Sequence, residues 1–366
     1  MLRKLVREDR AVDDVISVEH TEAVGWKHFE HCYVRGLWRR ESTSAPSLLT
    51  KSCHDIDFLF WLLCSPASTS NPEPPHLPSK VTSSGRLHSF RQANKPSGAG
   101  SATNCLSCPV ETTCQYSAKS LYLHQHLRAG NRDRPVNAIV PDIEDVFRNQ
   151  GLPSAAKRLL EVLGEDYDDT SQVSRRNWYG RCVWESDNDV CDDQMVTIEW
   201  EDELLPFPQK LKSESKQSSL SLKQQSYTGN LGTEPYRRRG RISGTTGEIV
   251  YDAATIRVSD FCSGSEVVYN MPSVKGGHDG GDDGLALSFV RAVAKVKSGD
   301  MGVSEAQRTF LTCTVEELLR SHLAVFWVEE ARIGGTALRW QEWWAREVET
   351  KLKGMGLGDI LSAGIR

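Results

Sequence analysis

The segment from Pro46 to Leu63 reads P-S-L-L-T-K-S-C-H-D-I-D-F-L-F-W-L-L, an apolar run behind a short polar mouth. Phe58, Leu59, Trp61 and Leu62 are what a helix needs to be anchored in a core, so the chain must supply a second layer to bury them. If Asp55 starts that helix, Lys51, His54, Asp55 and Asp57 sit at its N-terminal end, where a rigid element can aim them at a ligand. His54 and Asp57 are three apart and share a face once the turn is helical. An imidazole beside carboxylates and a lysine suits proton transfer at a hydroxyl or carbonyl. The plainer reading makes Asp55 an N-cap and His54 a polar neighbour. The residues alone leave both readings open.

Of the 366 residues, 39% are hydrophobic and 25% charged, an ordinary globular balance that as a length prior suggests about two domains. The net charge of -5 argues against a general nucleic-acid binder. The basic run Arg237-Arg238-Arg239 reads as a solvated loop. No run of 18 apolar residues is present to form a membrane span, and the charged start M-L-R-K-L-V-R-E-D-R is no secretory signal. The expected setting is therefore the cytoplasm, with the ten cysteines as reduced thiols.

Leu2, Leu5 and Val6 share one face of a short N-terminal helix, and Val15 to His20 alternates like a half-buried strand. Residues 65–104 read mostly as loop, with a strand within Val81 to Phe90. Short elements follow at Leu121–Leu127 and Ser154–Leu163. Trp178 to Trp200 reads as a hairpin turned at D-N-D, and Arg241 to Tyr251 as strand, turn and strand. Residues 203–235 have low hydrophobicity and are expected to be a disordered insert. Helices are expected over Gly281–Val296, Val315–Glu330 and Trp340–Lys353, the second with Leu318, Leu319, Leu323 and Phe326 as its apolar stripe.

Cys105, Cys108 and Cys114 follow C-x2-C-x5-C, thiol spacing that suits a structural zinc, with Cys53 and Cys182 as distant candidates for the fourth ligand. Three reduced cysteines packing a loop is the alternative. G-G-H-D-G-G-D-D-G at 276–284 could bring His278, Asp279 and Asp282 to a sugar hydroxyl or a metal, or could be a flexible loop before a helix. His20, Trp26, Arg35 and His278 are candidate substrate contacts. Neither G-x-G-x-x-G nor G-x-x-x-x-G-K-[ST] occurs, so no visible motif binds NAD(P).

The segments P-S-L-L-T-K-S-C-H-D-I-D-F-L-F-W-L-L, V-I-S-V-E-H-T-E, C-L-S-C-P-V-E-T-T-C-Q-Y-S-A, Y-G-R-C-V-W-E-S-D-N-D-V, R-I-S-G-T-T-G-E-I, G-G-H-D-G-G-D and S-H-L-A-V-F-W-V-E-E-A-R together resemble the Gfo/Idh/MocA oxidoreductases, in a subgroup with the cysteine insert. The resemblance implies an α+β fold with a large, open, mainly antiparallel sheet and helices on one face. It implies a sugar or polyol substrate, NAD(P) held by an N-terminal Rossmann domain, and homo-oligomers formed through the sheet. Residues 1–14 then lead in from a Rossmann domain absent from this chain, 15–333 form the substrate domain with loop-rich Cys insert at 65–135, and 334–366 extend it. His54 matches the family's active-site histidine and Asp57 the acid beyond it. Lys51 fits the subgroup's own pattern, while Thr50 stands where the family usually has an aspartate. The expected function is a truncated member supplying the substrate-binding domain; the alternatives are a non-catalytic oligomerisation or ligand-binding relative, or a fragment of an imperfect gene model.

Overall fold

Val18, Ile242, Ile249, Val258 and Val267 stand side by side in one row across five strands, so that period-two alternation gives the sheet one apolar face. The structure is a computed structural model and describes residues 1–65, 75–167, 169, 172, 176–200, 220–227, 238–272 and 281–356. Its strands are β1 (Val15–Thr21), β2 (Ala23–Gly25), β3 (Lys80–Arg86), β4 (Asp193–Glu199), β5 (Leu220–Tyr227), β6 (Arg239–Gly244), β7 (Gly247–Tyr251), β8 (Thr255–Asp260), β9 (Glu266–Asn270) and β10 (Leu338–Arg339). They form one ten-stranded sheet in the order β10-β3-β4-β5-β1-β6-β7-β8-β9, with β2 alongside β5. β5 runs parallel to β1 and β2, and the other pairings are antiparallel.

The helices are α1 (Trp26–Phe29), α2 (Ser47–Thr50), α3 (Cys53–Leu63), α4 (Val136–Ile139), α5 (Ile143–Gly164), α6 (Gly281–Lys297), α7 (Val303–Leu311), α8 (Val315–Gly334), α9 (Trp340–Trp344) and α10 (Thr350–Gly354). α3 and α8 cover the apolar face. Ile56, Leu59 and Leu62 of α3 meet Ala324, Val325, Trp327, Val328 and Ala331 of α8 over Val18, Val196, Ile198, Ile242 and Ile249 of the strands. Each fully buried Leu or Ile there is worth about 1.5–3 kcal/mol. Leu5 and Val6 at the N-terminus, and Trp340, Trp343 and Trp344 of α9, close the same core. The fold is thus α+β, a large open sheet with helices on one face. On its other face Glu19, Arg241, Val250, Arg257 and Val268 form an uncovered row.

A second core lies beside the sheet. Phe29, Tyr33 and Val34 pack with Phe90, Tyr116, Leu121, Leu159, Leu163 and Val183, so the cysteine insert and α5 build one body around the segment after β2. Three expectations are corrected here. The hairpin over Trp178–Trp200 is a loop as far as Asp192, with only β4 extended. Arg39 takes Asp187, Arg181 takes the Glu185 carbonyl, and buried Asp192 accepts from the backbone N–H groups of His88, Ser89 and Phe90. These tertiary partners replace the strand ladder. Much of 203–235 lies outside the described residues, but Leu220–Tyr227 is a strand within the sheet, not part of a disordered insert. On α8, Leu318, Leu319 and Phe326 are exposed. The buried stripe is the one carrying Ala324 and Ala331, whose small side chains allow close approach to α3.

Candidate functional site

β1 points His20 to the helix-covered side of the sheet, as it does Val18 two residues earlier. There it meets the first turn of α3. His20 Nε2 lies 2.8 Å from Asp55 Oδ1, and His20 Nδ1 lies 2.8 Å from the Tyr251 hydroxyl. An ionised carboxylate can only accept, so Nε2 carries the proton and Nδ1 accepts from Tyr251. Arg238, just before β6, donates through Nε to Asp55 at 2.6 Å and lies 3.2 Å from Glu22. Lys51, at the end of α2, reaches Glu22 at 3.6 Å. His20, Glu22 and Asp55 are all buried. The centre therefore sets two buried carboxylates against a guanidinium, an ammonium and an oriented imidazole.

Burial pushes the Asp55 carboxyl up, but the hydrogen bonds from His20 and Arg238 outweigh it and hold the pKa below the usual value. Glu22 moves the other way: burial and the neighbouring Asp55 charge raise it, against Arg238 and Lys51. Asp55 Oδ2 is buried with no hydrogen-bond partner among the described residues. A buried carboxylate oxygen without a partner leaves desolvation uncompensated, and a ligand hydroxyl could satisfy it.

His54 faces elsewhere. It is exposed on the first turn of α3 and lines a crevice of about 280 Å³ with Asp57, Trp61, Cys313, Glu317 and Arg320. His54 and Asp57 share that face, and the Ser321 hydroxyl of α8 donates to Asp57. Phe58 stands between the two sites, lining the crevice while its ring centroid lies 5.3 Å from that of His20. Of the expected catalytic residues, then, His54 and Asp57 come together, while Lys51 joins the His20 cluster.

A cavity of about 270 Å³ opens between α1 with its continuation Glu30–Val34 and the wide turn Lys119–His126. Lys27, His28, His31, Trp38, Tyr122 and Arg134 line it. Burial, then the charges of Lys51 and Arg134, lower the His28 pKa to about 4. Burial, then His28 and Arg134, bring His31 to about 4 as well. Both imidazoles are neutral at pH 7. Arg134 acts on both imidazoles, and the Lys51 charge on His28 alone.

Two expected contacts are structural. Arg35 is 1% exposed; it pairs with Glu30 and donates to the carbonyls of Arg181 and Tyr116, both at 2.7 Å, and to Cys105 Sγ at 3.4 Å. Its donors are thus spent inside the second core. Trp26 is buried edge-on against Tyr116. His278 lies outside the described residues. The zinc expectation at Cys105, Cys108 and Cys114 is not supported: no group of three or more His, Cys, Asp or Glu side chains among the described residues could hold a metal ion. These thiols line a small pocket with Cys182, where Arg35 already bonds Cys105 and burial pushes Cys114 up to about 11.

Glu22 and Tyr251 carry no local signal in the sequence, whereas Arg238 belongs to the basic run expected to be a solvated loop, and its donation to buried Asp55 corrects that expectation for this residue.

No family model and no curated protein matches the chain. Among solved structures, a super-repressor mutant of Gal80p from Saccharomyces cerevisiae aligns at a TM-score of 0.47 and 12% identity over 92% of this chain. A putative oxidoreductase from Thermotoga maritima gives 0.41 and 13%, again over 92% of this chain. An oxidoreductase from Agrobacterium radiobacter in complex with NAD+, L-tartaric acid and magnesium gives 0.43 and 10% over 92%. The chain spans only 61%, 58% and 60% of those three. Likenesses this weak leave the chemistry to this chain's own residues.

β2 runs parallel to β5 into α1 through Gly25 alone, without the three-glycine turn that brings a backbone to a pyrophosphate. No helix among the described residues is long and apolar enough to cross a membrane.

Proposed function

We propose that this chain binds a polyhydroxylated small molecule, a sugar or polyol, as the substrate-binding portion of an NAD(P)-dependent oxidoreductase of the Gfo/Idh/MocA type. The observation that carries the reading is the cavity of about 270 Å³ lined by His28, His31, Tyr122 and Arg134. Its size lies near the lower end for small-molecule pockets, about 300 Å³ upward, and suits one monosaccharide-sized ligand. Neutral His31 donates through Nδ1 to the Tyr122 hydroxyl at 3.2 Å, which itself donates to Glu30, and so keeps Nε2 as an acceptor for a ligand hydroxyl. His54, exposed on α3, is available for proton exchange with a group approaching from outside this chain.

Titration calorimetry of the chain against a panel of hexoses and hexitols tests this directly. Millimolar or tighter binding by at least one of them, lost in His28→Ala, is expected without any nucleotide present. No binding across the panel would remove the proposal.

A further inference from the structure

We propose that α6 pairs antiparallel with α6 of a second copy of this chain, making the protein a reversible homodimer; this stands independently of the sugar reading. α6 packs on α7, and its buried residue is Ala292. Ala292 lies about 200° around the helix from Val290, so Val290 stands on the side away from α7. Asp283, Leu287, Val290, Ala294 and Lys297 follow spacings of four, three, four and three, which put all five on that outer side. Leu287 is 50% exposed and Val290 61%, with Val293 beside them at 41%. Apolar side chains aligned in this way are one half of a packed layer, and the other half has to come from a partner.

The charges name the occupant. The stripe is apolar in the middle, acidic at its N-terminal end and basic at its C-terminal end, with Asp283 and Lys297 each seven residues from Val290. Seven residues span about 10 Å of helix. Two copies crossing antiparallel at Val290 therefore bring Asp283 of each level with Lys297 of the other, and Leu287 of each level with Val293. A parallel pair would set acid on acid and base on base, so the charges select the antiparallel one. Opposed helix dipoles favour the same direction. Lys295 is taken by Asp300 at 3.0 Å, whereas Asp283 and Lys297 have no ion-pair partner among the described residues. One helix face covers less than the about 1,200 Å² of a standard stable interface, which makes the dimer reversible at micromolar concentration.

Sedimentation velocity of the full chain at low salt, from low to high micromolar concentration, tests this. A monomer–dimer equilibrium is expected. Val290→Asp should weaken dimerisation at least about ten-fold, with circular dichroism unchanged because the position is exposed. Asp283→Lys and Lys297→Asp should each weaken it about three-fold or more, and the double variant carrying both exchanges should restore it. Val268→Asp, on the uncovered face of the sheet, should leave the dimer intact. A monomer at every concentration, a dimer untouched by Val290→Asp, or a double variant no better than the single ones would overturn the proposal. So would a dimer broken by Val268→Asp, which would put the interface on the sheet.

Discussion

Asp55 shows how one side chain can carry two meanings in a sequence. Next to Lys51 and His54 it reads either as a helix cap or as part of a catalytic cluster. In the structure α3 starts at Cys53, and Asp55 turns inward to take His20 and Arg238. His20 is 35 positions from Asp55 and Arg238 is 183, so no local spacing could announce the centre. Arg35 misled for the opposite reason. Its guanidinium looked like a ligand for an anion, and its anion is Glu30, five residues back. His28 and His31 carry a pH prediction at this scale. Their folded pKa values, about 4, lie below the ordinary 6.5, so the unfolded chain binds more protons between those limits. Stability is therefore full above about pH 6.5 and falls as pH drops toward 4, by up to about 1.4 kcal/mol per pH unit for each histidine. Urea midpoints from pH 7 to 4.5 should show this loss, and His31→Gln should flatten it. An unchanged slope in that variant would contradict the assignment.

Elements were legible where local chemistry and burial agreed. Val15–Thr21 alternates because one face of β1 meets α3. Thr314 accepts from the Glu317 N–H while Glu317 bonds back to the Thr314 N–H, a capping box that fixes where α8 starts. The failures arose where distant side chains seized the backbone, as at residues 178–192. Gly180 sits at the tightest of these joints. A Cβ there would lie 1.7 Å from the Leu163 carbonyl oxygen and 2.9 Å from Asn104 Nδ2. Gly180 also accepts from the Cys105 N–H at 2.8 Å, holding the cysteine insert against the end of α5. Gly180→Ala is expected to cost about 3 kcal/mol, at the top of the overpacking range, and to open the 88–135 segment to limited proteolysis. Gly284→Ala, with nothing within 4 Å, is the control and should be neutral or mildly stabilising. Equal behaviour of the two variants would show the joint to be slack.

The molecule as a whole has two cores sharing one chain, and the Trp-rich end closes the larger. Trp340 stacks edge-on with Trp327 at 5.0 Å and tilts against Phe60 at 6.0 Å. Residues 340–354 are therefore part of the main body, although their sequence reads equally as a detachable extension. Trp340→Ala should cost about 3–5 kcal/mol in chemical denaturation. A loss below about 1 kcal/mol would mean that the end only rests on the core.

The position of β5 has a further consequence. Residues 220–227 join the ribbon built from 80–86 and 193–199 to the one built from 15–21 and 239–270. A splice form or deletion without this stretch would not simply be a smaller version of the same fold. It would hold two half-sheets, each with a newly unpaired edge in the middle of the protein, and such edges recruit strands from other molecules. Shortening the chain there would thus turn a continuous sheet into a seed for aggregation, whereas trimming β9 at the rim would only move an edge that already exists.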